Sequence, residues 1–179
     1  KILNLLKLVR LMQKPLPQEY PTYAGYALPL VEDDLLKQLT QRTVPMLAFY
    51  KGIDEAKAAT AYAPDKWTIK EVLGHVIDTE RIFAYRILSF SRGETQSLLG
   101  FDQDAYIAQG AFNDRSWESL VAEMALVRPS TIALIEHIPP TLTQRTGVAN
   151  GHSFTLRALV ALLIGHELHH AKIIQERYL

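Results

Sequence analysis

The residues best equipped for chemistry lie in one run near the end of the chain, His166-Glu167-Leu168-His169-His170. Side chains four apart in a helix stand only ~40° apart and about one turn along the axis. His166 and His170 therefore share a face, close enough for one ring nitrogen of each to reach a single metal ion at about 2.0–2.1 Å. Leu156, Leu159, Val160, Leu163 and Ile173 continue the same face, so the spacing predicts a helix over 153–179 with its stripe turned to the core. A lone core histidine is usually satisfied by one hydrogen bond, but a pair at this spacing on an aliphatic stripe points to a metal site. Glu167 and His169 fall on either flank.

The run also satisfies H-E-x-x-H, the zinc-protease signature whose glutamate is the general base. Those enzymes take a further ligand from downstream, whereas here nine residues remain, none of them His, Asp or Cys. Glu176 sits on the same predicted helix, too far along its axis to close the site. A third ligand has to come from another helix, and His75 is best placed, on the shoulder of the apolar line Val72, Val76, Phe83, Ile87 and Phe90. His137 and His152 lie beside predicted helix ends and read as surface or capping residues. Three histidines would leave one tetrahedral position open, the catalytic pattern for zinc, able to activate water, a thiol or another small nucleophile. Glu167, or Asp78 about one turn from His75, is the candidate to orient a ligand histidine or act as a base; the plainer reading of each is an ion pair. Arg86 and Arg128 are candidates to hold an anionic substrate, against the plainer reading of snorkelling side chains.

Four long amphipathic segments position these residues. Glu32, Asp33 and Asp34 open the first helix, which carries Leu35, Leu36, Leu39, Val44, Leu47 and Ala48 inward to about Tyr50. Pro45 predicts a kink near Gln41, or two shorter helices meeting there. A loop over 51–66, with one helical turn at 55–59, leads to the second helix. Its start is marked by a capping box of Thr68 with Glu71 and a hydrophobic staple of Trp67 with Val72; it runs to about Ser91 and stops at Arg92-Gly93. Residues 93–114 form a long connection of the kind that often covers a cleft. The third helix spans about 114–137, interrupted by Pro129 and ended by Pro139-Pro140. A loop over 141–152 precedes the last helix. No alternating strand pattern or internal repeat stands out, so the fold class expected is all-α, a four-helix bundle with long crossover connections.

The domain is expected to span 31–179, preceded by an N-terminal segment and arm over 1–30. Residues 14–29, with four prolines and three tyrosines, read as an extended arm laid over the surface. Met12 is the first methionine and the expected natural start, with 1–11 an addition ahead of it. Partner or membrane-surface binding is the alternative for that aliphatic segment, whose polar stripe is Lys1, Asn4, Lys7, Arg10 and Lys14. The 179 residues, 48% of them apolar, suit one domain with an ample core. Lys plus Arg equals Asp plus Glu at 19 each, so no basic field favours nucleic acid. The absence of cysteine excludes disulfides, thiolate metal sites and cysteine nucleophiles. It also fits a reducing compartment, and a cytoplasmic location is expected. The longest uncharged apolar run, 158–164, is far too short to span a bilayer.

Two stretches together resemble a known family, the DinB-like (damage-inducible, YfiT-like) four-helix bundle proteins. They are Tyr62-Ala63-Pro64-Asp65-Lys66-Trp67-Thr68-Ile69-Lys70-Glu71-Val72-Leu73-Gly74-His75 through Asp78, Glu80 and Arg81, and Gly165-His166-Glu167-Leu168-His169-His170. The resemblance covers roughly 20–179. It implies one histidine on the second helix and an H-x-x-x-H pair on the last, here His75, His166 and His170, binding a divalent metal such as zinc or nickel. It further implies a homodimer and a small-molecule substrate. The expected activity is transfer of a low-molecular-weight thiol such as bacillithiol or mycothiol to an electrophile. Hydrolysis by metal-bound water is the alternative, and a non-enzymatic metal-binding or dimerisation bundle the contrasting class.

Overall fold

In the computed structural model, residues 12–179 are described; the readings made for 1–11 lie outside the described residues. The helices are α1 (Leu35–Lys51), a single turn α2 (Glu55–Ala58), α3 (Ile69–Arg92), α4 (Gln103–Gly110), α5 (Trp117–Glu136) and α6 (Leu156–Ile173). A hairpin, β1 (Thr146–Ala149) with β2 (His152–Thr155), precedes α6. α1 and α3 each pack against both α5 and α6. The first two long helices therefore face each other across the diagonal of a four-helix bundle, which long crossovers make possible.

Local chemistry fixes the starts. Asp34 accepts from Lys37 N, Ser116 from Ser119 N and Thr155 from Ala158 N, each satisfying a backbone donor that the first turn leaves unpaired. At α3 the capping box is complete: Glu71 N donates to Thr68 Oγ1 at 3.1 Å, and Thr68 N to Glu71 Oε2 at 2.7 Å. Gly93, with φ of 83°, ends this helix. Neither proline breaks its helix. Pro45 and Pro129 are both on the solvent side, where water can reach the carbonyls of Gln41 and Ala125 that they leave without a donor.

Three expectations need correcting. Val44 and Ala48 are exposed, because the buried line of α1 runs through Leu35, Leu39, Met46 and Tyr50. The connection over 141–152 holds β1, and the last helix starts at Leu156. Asn150-Gly151, both at positive φ, form the two-residue turn that pairs the strands; N-G is a strong hairpin signal whose four-residue flanks lack the apolar alternation that marks a strand. The arm is built in rather than laid on. Its 3₁₀ turns bury Ala24, Ala27 and Leu28, and its Glu19 accepts from Arg157 and Thr155 at the start of α6, which holds the Glu19 carboxyl down at about 2. A Cβ on Gly165 would come within 2.4 Å of the Ala27 carbonyl oxygen, so glycine there permits the arm's close approach.

The interior consists of two apolar clusters. One gathers the arm, Leu35, Leu39, Ile87, Phe90, Ile135 and α6 from Leu156 to Ile164. The other gathers Met46, Tyr50, the first turns of α3 and α5, Ile174 and Tyr178. Between them three of the long helices contribute buried polar residues: Thr79 and Glu80 from α3, Arg128 and Thr131 from α5, His166 and Glu167 from α6. Arg128 is the centre of this layer. Its Nε donates to Glu80 Oε1 at 2.9 Å, and its Nη2 lies 2.7 Å from Glu80 Oε2 and 2.9 Å from Glu167 Oε2. All three side chains are buried.

Removing a buried ion-pair partner strands the charge it left behind. Arg128→Met should lower the unfolding free energy by about 3–5 kcal/mol in urea titration. Gly165→Ala should cost about 1–3 kcal/mol, by forcing the Ala27 carbonyl away.

Candidate metal centre

α3 and α6 run side by side, and their histidines meet. His75 Nε2 lies 3.0 Å from His166 Nε2, and His170 Nε2 lies 3.1 Å from the same atom. One ring nitrogen from each of the three falls within 4.8 Å of the others. Three imidazole nitrogens at 2.0–2.1 Å from one tetrahedral ion would stand ~3.3 Å apart, so the observed spacing fits a metal with small adjustment. His75 and His166 are buried and His170 is half-buried. Thr79 Oγ1, one turn on from His75, lies 3.5 Å from His75 Nδ1, at the far side of the ring.

Burial dominates the electrostatics. It pulls His75 down to about 4 and, with help from His75 and His169, His170 down to about 3. His166 is pushed well below the ordinary histidine value by burial and then by the neighbouring histidines. All three are thus neutral imidazoles at pH 7, the form that can donate a lone pair to a metal. Imidazole nitrogens suit zinc, nickel, copper and iron.

The other sequence candidates are not brought to this point. Glu167, next to His166, turns to Arg128; its Oε1 has no protein partner and burial raises its pKa, offset by Arg128. Asp78 is half-buried and faces Arg81 at 3.8 Å, in a surface group that includes Glu123 and Arg115. Asp78 is raised by burial first, with Arg81 opposing. His137 is exposed, with Nδ1 2.9 Å from the Ala133 carbonyl at the end of α5. His152 is exposed on β2 rather than beside a helix end, its ring against Tyr23. His169 packs its ring edge against Tyr26. The two arginines part company: Arg128 is matched by two carboxylates, whereas Arg86 lines a cleft beside the histidines.

That cleft, about 250 Å³, has His75 and His166 in its wall together with Thr79, Phe83 and Arg86 of α3. Its other sides come from segments read as connections. Tyr23 and Tyr26 come from the arm, Phe101 and Gln103 from the α3–α5 crossover, and Asn150 from the hairpin turn. Backbone pairing fixes this side, since Leu98 N donates to Val148 O and Asn150 N to Leu98 O, both at 2.9 Å. A second opening, lined by Tyr62, Trp67, Asp104 and Tyr178, reaches His170. These residues escaped sequence reasoning, although three tyrosines in a proline-rich arm were a usable signal. Among the described residues, no helix is long and apolar enough to cross a membrane.

Known proteins bear on the fold and the family. The structure of YfiT from Bacillus subtilis, described as a probable metal-dependent hydrolase with an unusual four-helix bundle topology, superposes with a TM-score of 0.71. The two are 17% identical, over 79% of this chain and 82% of YfiT, a likeness of fold. No curated protein matches. The sequence pattern of the DinB superfamily matches residues 38–174, which include α3, α6 and all three histidines, and the chain accordingly belongs to the DinB superfamily.

Proposed function

We propose that this protein is a metal-dependent hydrolase acting on a small molecule, with His75, His166 and His170 holding one divalent transition metal, zinc or nickel. The observation that carries this reading is three neutral imidazole nitrogens converging, two of them at the wall of a cleft, with no further His, Asp or Glu joining the cluster among the described residues. Bound there, the metal supplies Lewis acidity and makes water a nucleophile at neutral pH.

The chain's own residues prepare that chemistry. Thr79 stands behind His75 and restrains its ring. The Glu80–Arg128–Glu167 cluster anchors α3 and α6 beside the histidines, so the nitrogens are positioned before any ligand arrives. Tyr23, Tyr26, Phe83 and Phe101 wall the cleft and restrict the water that reaches the site. Thiol transfer would draw on the same three histidines, but nothing on the cleft wall singles out a thiol, and hydrolysis accords with the description of YfiT. A site serving only to clamp helices would be closed; this one adjoins two openings.

Mass spectrometry of purified protein supplied with zinc or nickel should find about one metal ion per chain in the wild type. His75→Ala and His166→Ala should retain less than a tenth of that while keeping their helical circular dichroism. An unloaded wild type would overturn the reading, and variants that keep their metal would overturn the ligand set. The metal-free protein should also show a pH dependence of known sign. With His75 at about 4 when folded against an ordinary value of 6.5, the unfolded chain binds more protons below pH 6.5. Stability is therefore full above pH 6.5 and lost as pH falls towards 4, by up to ~1.4 kcal/mol per pH unit for each such histidine. His75→Gln should flatten that slope in urea titrations at stepped pH.

A further inference from the structure

One cation in the cleft has no counter-charge. Arg86 is buried, and its Nη2 donates to the Leu99 carbonyl at 3.0 Å. Among the described residues no carboxylate pairs with it. Residues 1–11 contain no Asp or Glu that could do so. Burial pulls its pKa down, with the Tyr23 hydroxyl acting the other way. A buried guanidinium is costly unless it is paired, and one carbonyl occupies only part of its fork of donors. Arg128, more deeply buried, shows the ordinary solution, a carboxylate on each side.

The position of Arg86 is as telling as its charge. His75, Thr79, Phe83 and Arg86 follow one another at steps of four, four and three along α3, so they share a face and floor the cleft. About 16 Å of helix axis separates the first from the last. The cleft thus has the histidines at one end, a lone cation at the other, and aromatic walls from Tyr23, Tyr26, Phe83, Phe101 and Phe154 between.

We propose that the substrate is a small carboxylate-bearing molecule: Arg86 binds the carboxylate, the aromatic walls take the apolar body, and the reacting group reaches the three histidines. For its reacting end this rests on the hydrolase reading; the carboxylate class rests on Arg86. A carboxylate fits better than a phosphate because no lysine or second arginine lines the cleft. One guanidinium matches one planar monoanion, whereas a phosphate dianion would bring a second charge that nothing there neutralises.

Calorimetric titration with 3-phenylpropionate, its neutral amide and phenyl phosphate tests this, on protein with and without zinc. The metal-free wild type should prefer the carboxylate to the amide at least tenfold. Arg86→Gln should lose roughly tenfold to a hundredfold in carboxylate affinity with amide binding unchanged. A merely structural role, holding the Leu99 carbonyl, would weaken both probes alike. Arg86→Lys keeps the charge without the fork and should show an intermediate preference, which preserves the test if the glutamine variant does not fold. Equal binding of acid and amide by the wild type, equal losses in the variant, or tighter binding of phenyl phosphate would overturn the inference. Zinc content of the same samples separates it from the hydrolase reading. Zinc bound without a carboxylate preference overturns the substrate class alone; a carboxylate preference without zinc leaves it standing and removes the hydrolase.

Discussion

The fold turns on one buried guanidinium. Arg128 of α5 holds Glu80 of α3 and Glu167 of α6 at hydrogen-bonding distance, in a layer almost without solvent. Each carboxylate is the chain neighbour of a residue at the histidine cluster: Glu80 follows Thr79, which backs His75, and Glu167 follows His166. A slip of either helix against the other would separate both the ion pairs and the histidines. Such a cluster adds little net stability over a well-packed apolar layer, since desolvating three charges offsets their attraction. What it supplies is register, because two apolar clusters of similar residues above and below it could slide, whereas a fork of donors facing two carboxylates cannot.

The layer also divides the bundle electrostatically. Two carboxylates face one arginine; burial raises Glu167, Arg128 pulls it down, and the part-exposed Arg42 of α1 adds a smaller pull in the same direction. Tyr50, from the same helix as Arg42, is fully buried beside them and pushed up by burial and by the Glu167 charge. Two carboxylates are thus gathered behind the histidines and tied to Arg128, while the cleft that His75 and His166 line carries no carboxylate. A metal held by three neutral imidazoles keeps its full charge towards the cleft, and with it the Lewis acidity that carboxylate ligands would reduce.

What the sequence revealed follows from the range over which each signal acts. The capping box at Thr68 and Glu71, the stop at Gly93 and the pairing of His166 with His170 on one face are local, decided within a turn or two, and they were legible. So was the bundle, since four amphipathic segments with few other options determine it. The fate of Arg128 was not, because whether an arginine on an inner face meets solvent, a substrate or two carboxylates depends on which helices abut and in what register. The cleft walls were lost for the same reason. Tyr23, Phe101 and Asn150 come from three segments without periodicity, and only the folded chain places them opposite α3. The Asn150-Gly151 turn is a different case, a local turn signal whose four-residue flanks show no apolar alternation to mark them as strands.

The region matched to the superfamily and the walls of the cleft only partly coincide. The matched region, 38–174, contains the histidines and the Arg128 cluster but not the arm that supplies Tyr23 and Tyr26. α6 is apolar or buried on every side from Leu156 to Glu167, more than three neighbouring helices can cover, so its outward face needs another element. The arm and β2 meet that need, and contact at Gly165 brings the arm to the residue before His166. Covering the helix and walling the cleft are therefore one event: a segment that buries α6 necessarily presents side chains beside the three histidines. Its length and aromatic content can then change the cleft without disturbing the histidines, which are held from behind by Arg128.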